Sequence, residues 1–415
     1  MFSKSKEPPA ALAVYFPPAV YTPGSTIEGE VELNFRQLRE DNIDEVHVKL
    51  RGLAYTCINQ DKVTLEERVE LAHDQISLWT RGGAYPNPGT DVLRLPFRFV
   101  LPADALPPSF KFQSSWQWAH VKYSVCAVGA RKGRLTPNRR HRVPFPVLPI
   151  DEAGTSVRQA AATDGWQRLE KEESIRRRGL WGDYSKVKVE LALPDIPVLP
   201  LFSDIPYTIT VTTTGPPLAH EKADTDKGKG SFPPLPRDPH ELEFELQQRL
   251  QLRAGVFNGK EGRASSTVAT ILGGKKEKSK RAQVAVDVEL PEREWAPAHA
   301  SLVADDKEKG KEKASVHEEG KGSWVQRVAF RSTFRLNCPP AFAVKNIECN
   351  YVLVVRVPFP GIGNSLKLEI PVTVTSGIDK PLAQSSTAEN DPPILDLPPA
   401  YWDPDGNNWD GDEKD

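Results

Sequence analysis

The chain has 415 residues, 39% hydrophobic and 27% charged, with a formal net charge of −2. That length suits two or three domains, and the charge balance leaves no whole-chain footprint for nucleic acid. No apolar run is long enough to span a bilayer. Met1–Glu7 carries no signal-peptide h-region, and Phe2 stands where N-myristoylation needs glycine. Cys57, Cys126, Cys338 and Cys349 are scattered without metal-ligand spacing. The expectation is a cytoplasmic chain with reduced thiols and no metal site.

Period-two alternation begins early. Ile27, Gly29, Val31, Leu33 and Phe35 take every odd position of their run, the mark of a half-buried strand. Val46, Val48 and Leu50 repeat it, with His47, Lys49 and Arg51 on the other face. Leu93, Leu95, Phe97 and Phe99 follow, then Val121, Tyr123, Val125 and Ala127. Turn clusters such as Tyr21–Ser25 and Arg81–Gly83 separate the runs. Pro17–Tyr21 reads as structural. Trp116 and Trp118 read as packed at the end of a sandwich, and His141, in Arg139–Arg142, as part of a solvated loop. Residues 1–150 are therefore predicted to form one antiparallel β-sandwich.

The alternation breaks over 151–184, predicted as an interdomain linker. Within it, Asp164–Arg178 admits either a short helix or an extended segment. A second set of strands occupies 185–378, beginning with Val187, Val189, Leu191 and Leu193. Phe244, Leu246, Leu250 and Leu252 keep even parity around a polar Gln248, and Val284–Leu290 reads as another strand. Three inserts, near 220–230, 258–281 and 304–322, are rich in Lys, Glu and Gly and are predicted to be disordered surface loops. The fold class is all-β: two tandem immunoglobulin-like sandwiches, then a disordered acidic tail over 379–415.

That tail carries Pro398-Pro399-Ala400-Tyr401. Adjacent prolines favour polyproline II before any partner arrives, and tyrosine supplies an anchor with a polar tip. Pro-Pro-x-Tyr names the WW domain as partner class. Chance placement at this composition gives about 0.08 matches per chain. Leu397 and Trp402 flank the motif as further contacts, and six acidic residues after it keep the segment solvated.

The sandwiches carry specific phrases. They are Pro23-Gly24 with Ile27-Glu28-Gly29-Glu30-Val31, the strand ending at Gly52, Pro96–Pro102, Leu106-Pro107-Pro108-Ser109-Phe110, and the strand Val121–Ala127. Together with the tail motif, this chain resembles the α-arrestins, the arrestin-related trafficking adaptors. The resemblance covers about Leu12–Leu148 strongly. In the second half it rests on Ile347–Val357 and Leu366–Thr375. It implies arrestin-like domains, a membrane transporter or receptor as cargo, and recruitment of a HECT-type ubiquitin ligase through its WW domains. It also implies cargo ubiquitination, endocytosis and sorting, with a peripheral location at the plasma membrane or endosomes. The alternative is an arrestin-fold sorting-coat scaffold, similar to the retromer subunit, that acts without a ligase.

No catalytic constellation stands out, so no enzymatic activity and no cofactor are expected. Gly361-Ile362-Gly363 reads as a turn. The basic run Lys275, Lys276, Lys278, Lys280 and Arg281 is a solvated loop by default. Its alternative is attraction to an anionic leaflet. Arg131, Lys132 and Arg134 form a second candidate for anionic lipid or phosphorylated tails.

Overall fold

The computed structural model describes residues 10–60, 63–104, 106–131, 137–163, 165–178, 181–219, 233–255, 259–273, 285–297, 321–361 and 364–378. The first half holds β1 (Leu12–Tyr15), β2 (Thr26–Asn34), helix α1 (Phe35–Glu40), β3 (Ile43–Gln60) and β4 (Val63–Thr80). It continues with β5 (Val92–Val100), β6 (Phe110–Gln113), β7 (Gln117–Arg131) and β8 (Arg139–Phe145). One sheet runs β1-β2-β5. The other runs β4-β3-β7-β6, with β8 also on β7. Alternation turns Ile27, Val31 and Leu33 of β2 inward to meet Val46, Val48 and Leu50 of β3 and Val121, Tyr123 and Val125 of β7.

Helix α2 (Gly154–Thr163) leads into the second half. Its strands begin with β9 (Trp166–Arg178), β10 (Trp181–Pro194), β11 (Leu199–Pro200), β12 (Ile205–Thr214) and β13 (Leu218–Ala219). Next come β14 (Glu243–Ala254), β15 (Lys260–Gly273), β16 (Asp287–Glu289), β17 (Glu294–Pro297) and β18 (Lys321–Phe334). The last are β19 (Phe342–Val344), β20 (Ile347–Pro358), β21 (Ser365–Val372) and β22 (Val374–Thr375). The first sheet runs β13-β18-β12-β10-β9, with β16 and β17 on β18. The second runs β15-β14-β20-β19, with β21 on β20.

The two halves share one connectivity. β1-β2-β5 corresponds to β10-β12-β18, and β4-β3-β7-β6 with β8 corresponds to β15-β14-β20-β19 with β21. The correspondence reaches single hydrogen bonds. Tyr123 donates its hydroxyl to the Pro107 carbonyl (2.8 Å), and Tyr351 donates to Pro339 (2.6 Å). Ser109 N donates to Val147 O (2.9 Å), as Ala341 N does to Val374 O (2.8 Å). A short parallel pairing closes each half, Tyr21 with Val147 and Leu199 with Val374. Tyr21 also donates to Pro17 O (2.8 Å), so Pro17–Tyr21 is structural.

The equivalent tyrosines meet different residues across the ladder. Tyr123 pairs with Gly52, and Tyr351 pairs with Gln248. Gly52 leaves room for the Tyr123 ring, which a Cβ there would approach to 2.8 Å. Buried Gln248 instead donates Nε2 to the Tyr351 hydroxyl (3.0 Å) and to Cys349 Sγ (3.4 Å), which satisfies the polar position within the apolar run. Gly52→Ala is expected to destabilise the chain by about 1–3 kcal/mol through overpacking, read as a lower denaturant midpoint.

Several expectations are corrected. Where Asp164–Arg178 admitted a helix, the chain is β9, paired with β10 along its length; the helix lies earlier, at α2. β9 is charged on both faces, and Lys188–Glu170 (2.5 Å) and Lys186–Glu172 (3.2 Å) pair across the ladder. The insert near 258–281 contains β15, whose Gly, Ala, Ser and Thr residues gain order by pairing with β14. The insert near 304–322 ends inside β18 at Lys321 and Gly322, and 220–230 lies outside the described residues. The strand expected over Val284–Leu290 is limited to Asp287–Glu289. Trp116 is 68% exposed, not packed, while Trp118 is half-buried.

The halves meet along a polar seam at the ends of β3 and β14. Thr56 Oγ1 donates to the Arg253 carbonyl (2.5 Å). Buried Asn346, in the turn from β19 to β20, directs Nδ2 to Ala54 O (3.3 Å), Thr56 Oγ1 (3.2 Å) and Glu67 O (3.5 Å). Lys345 pairs with Glu67 (3.2 Å) and Lys260 with Gln60 (3.0 Å). Phe110 and Phe342, equivalent positions after the two Pro-Pro pairs, touch edge-to-face at 5.3 Å. Equivalent residues in mutual contact mark an approximate two-fold relation between the halves.

Candidate functional site

Leu397, Pro398, Pro399, Tyr401 and Trp402 lie outside the described residues, as do Lys275, Lys276, Lys278, Lys280, Arg281, Lys132 and Arg134. The point at which the tail departs is described. Ile378 packs with Leu148 against Val20 and Phe202, and its carbonyl accepts from Asp151 N (2.6 Å). Gly377 has φ +66°, and a Cβ on the facing Gly154 would come within 2.6 Å of its carbonyl carbon. The tail therefore leaves at the junction of the halves. About 19 residues separate Ile378 from Pro398, a reach of at most about 65 Å.

Arg131 is held within the chain. Asp41, which follows α1, receives Arg131 Nη2 and, from Arg139, both Nε (2.9 Å) and Nη2 (2.8 Å). The Arg139 hydrogen bonds, with the charges of both arginines, hold the Asp41 carboxyl below its ordinary range. A depressed folded-state value makes this contribution complete above the unfolded carboxyl's pKa of about 4. It is lost as pH falls toward the folded value. Acid titrations of unfolding are expected to show a shallower loss below about pH 4 for Asp41→Asn than for wild type.

His141 is part of strand β8 rather than a solvated loop. It points inward and accepts from Val14 N at Nδ1 (3.1 Å), and burial lowers its pKa. Its neighbours Arg140 and Arg142 point outward. Strand pairing joins them to a row of basic residues on the outer face of the first half: Lys49–Cys126–Arg142 across one line and His47–Val128–Arg140 across the next. Arg51–Ser124 and Leu53–Lys122 continue the same face. The acids on this face sit on β3 and β4, and each has a partner on β4. Glu45 accepts from Ser77 (3.3 Å), Glu66 pairs with Arg68 (3.1 Å) and Glu70 with His73 (3.2 Å).

The outer face of the second half forms a groove of about 770 Å³ over β9, β10, β12 and β18, floored by Thr208, Thr210 and Thr212. Its charges are largely paired: Arg168–Glu190 (3.5 Å), Lys188–Glu170 (2.5 Å) and Arg331–Glu289 (2.5 Å).

Among the described residues no group of His, Cys, Asp and Glu could hold a metal. No described helix is long and apolar enough to cross a membrane. All four cysteines are free and buried, and burial pushes the Cys338 and Cys349 thiols up to about 12. They stay protonated at neutral pH and are poor nucleophiles. Strand pairing assembles the basic face, and the sequence signals it only through alternating basic residues such as His47-x-Lys49-x-Arg51. No protein-family model matches the chain, and no curated protein matches it in sequence.

Proposed function

We propose that this chain is an arrestin-like adaptor that brings a WW-domain HECT-type ubiquitin ligase to membrane-protein cargo. In this reading the ligase ubiquitinates the cargo, a transporter or receptor, and so promotes its endocytosis and sorting. The adaptor is cytoplasmic and works at the plasma membrane or endosomes. The observation that carries the reading is Pro398-Pro399-Ala400-Tyr401 in a Pro-rich acidic segment beyond the last described strand. The duplicated sheet connectivity and the anchoring of Ile378 at the junction support it, because they give the motif a rigid base and a limited reach. One WW contact is weak, so such an adaptor gains from simultaneous cargo and ligase contacts through effective concentration. Proximity labelling in cells, with wild type and Tyr401→Ala compared, tests the assignment. The variant should lose ligase labelling and keep membrane-protein labelling; equal ligase labelling would refute it.

A further inference from the structure

We propose that the groove on the outer face of the second half binds an extended segment of another protein, in which acid, base and acid alternate with neutral residues and an apolar ring follows. Strand pairing bands the groove by charge. Lys188–Thr212–Arg327 form one row, Glu190–Thr210–Ala329–Glu289 the next, and Arg168–Ala192–Thr208–Arg331 the third. Trp166, 50% exposed, and Pro206 close the end beyond the third row. Along the floor the walls therefore run positive, negative, positive, apolar. Thr208, Thr210 and Thr212 take the outward positions of β12, and their hydroxyls have no partner among the described residues. Arg327 has no ion pair among them either. The other cations meet carboxylates, but in part-exposed pairs that contribute little and leave donors and acceptors to spare.

The spacing selects an extended chain. Outward rows of a sheet recur every second residue, about 7 Å, and an extended peptide over β12 turns every second side chain to the floor at the same interval. An acid over Thr212 lies between Lys188 and Arg327, a base over Thr210 between Glu190 and Glu289, and a second acid over Thr208 beside Arg168 and Arg331. An aromatic or aliphatic side chain then meets Trp166. From Pro194, paired with Trp166, back to Lys188 is a length of β10 of about 20 Å, room for about seven ligand residues. Complementary bands fix the register of such a ligand more than its raw affinity. The tail of this chain lacks the pattern, because no base interrupts its acids between Asp391 and Glu413. The inference concerns the second half alone and is independent of the ligase assignment.

Titration of the full chain with labelled peptides tests the groove without any WW domain. The probes are Tyr-Ser-Glu-Ser-Lys-Ser-Glu and its isomer Tyr-Ser-Glu-Ser-Glu-Ser-Lys, each also made with the sequence reversed, since the groove is open to both chain directions. In one direction the alternating peptide should bind at least about tenfold more tightly than its isomer. Arg327→Glu should weaken that binding at least about fivefold while the unfolding midpoint holds. Thr210→Trp, which fills the floor without a change of charge, should abolish it and keeps the test valid where charge reversal disturbs folding. Equal affinity for the isomers in both directions, binding undiminished in either variant, or no saturable binding below about 1 mM would overturn the proposal. Preference for an all-acidic peptide or for phosphatidylserine vesicles over the alternating peptide would also overturn it.

Discussion

Asn346→Leu is expected to split the unfolding of this chain into two steps. Asn346 is 1% exposed and serves three acceptors of the first half from a turn of the second: Ala54 O, Thr56 Oγ1 and Glu67 O. Its own backbone carbonyl accepts from Arg253 N (2.9 Å), so one residue ties β14 of its own half to β3 and β4 of the other. Leucine keeps the approximate volume and removes the donor. Each acceptor left dry and unpaired costs about 1–3 kcal/mol, and the loss falls on the seam rather than within either core. Among the described residues Thr56–Arg253, Lys345–Glu67 and Lys260–Gln60 remain across the seam, and the exposed Lys260–Gln60 contact couples the halves weakly. Wild type should therefore melt in a single cooperative transition, and Asn346→Leu in two resolved transitions by calorimetry. A single transition in the variant, shifted by less than about 1 kcal/mol, would show that the contacts left across the seam, the Phe110–Phe342 pair among them, couple the halves without Asn346.

Most of the strands could be read from local pattern, because one face of each is apolar. Ile27–Leu33, Val46–Leu50 and Val121–Ala127 all turn their odd or even set into the core as alternation predicts. β9 and β15 escaped for two different reasons. In β9 the outward residues and several inward ones are charged, and the strand is held by cross-strand ion pairs whose partners lie on β10. β15 is an outer strand built of small and polar residues, and its order comes from the β14 ladder. Neither cause is visible within a short window of sequence. The duplication has a sequence trace that alternation does not use: Pro107-Pro108-Ser109-Phe110 and Pro339-Pro340-Ala341-Phe342 each precede a tyrosine, which the structure shows returning a hydrogen bond to the first proline. The basic face was half legible. His47, Lys49 and Arg51 show which side of one strand is cationic, but their union with Lys122, Arg140 and Arg142 depends on pairing between residues some 70–100 apart in sequence.

Tyr401→Ala carries the other large effect. In a polyproline II ligand the prolines rest on the aromatic groove and the tyrosine fills the adjoining pocket, so truncation removes a central anchor. Anchors of this kind are worth at least about 2 kcal/mol, a loss of roughly 30-fold or more in affinity. Residue 401 lies beyond the last described strand, β22, which ends at Thr375. The same substitution should leave the unfolding of both halves unchanged. The decisive measurement is a titration of the full chain and of Tyr401→Ala with a WW domain of a HECT-type ligase, paired with melts of both proteins. Saturable binding by wild type, at least about 30-fold weaker binding by the variant and superimposable melts are the predicted result. Equal binding by the two proteins would contradict the adaptor account.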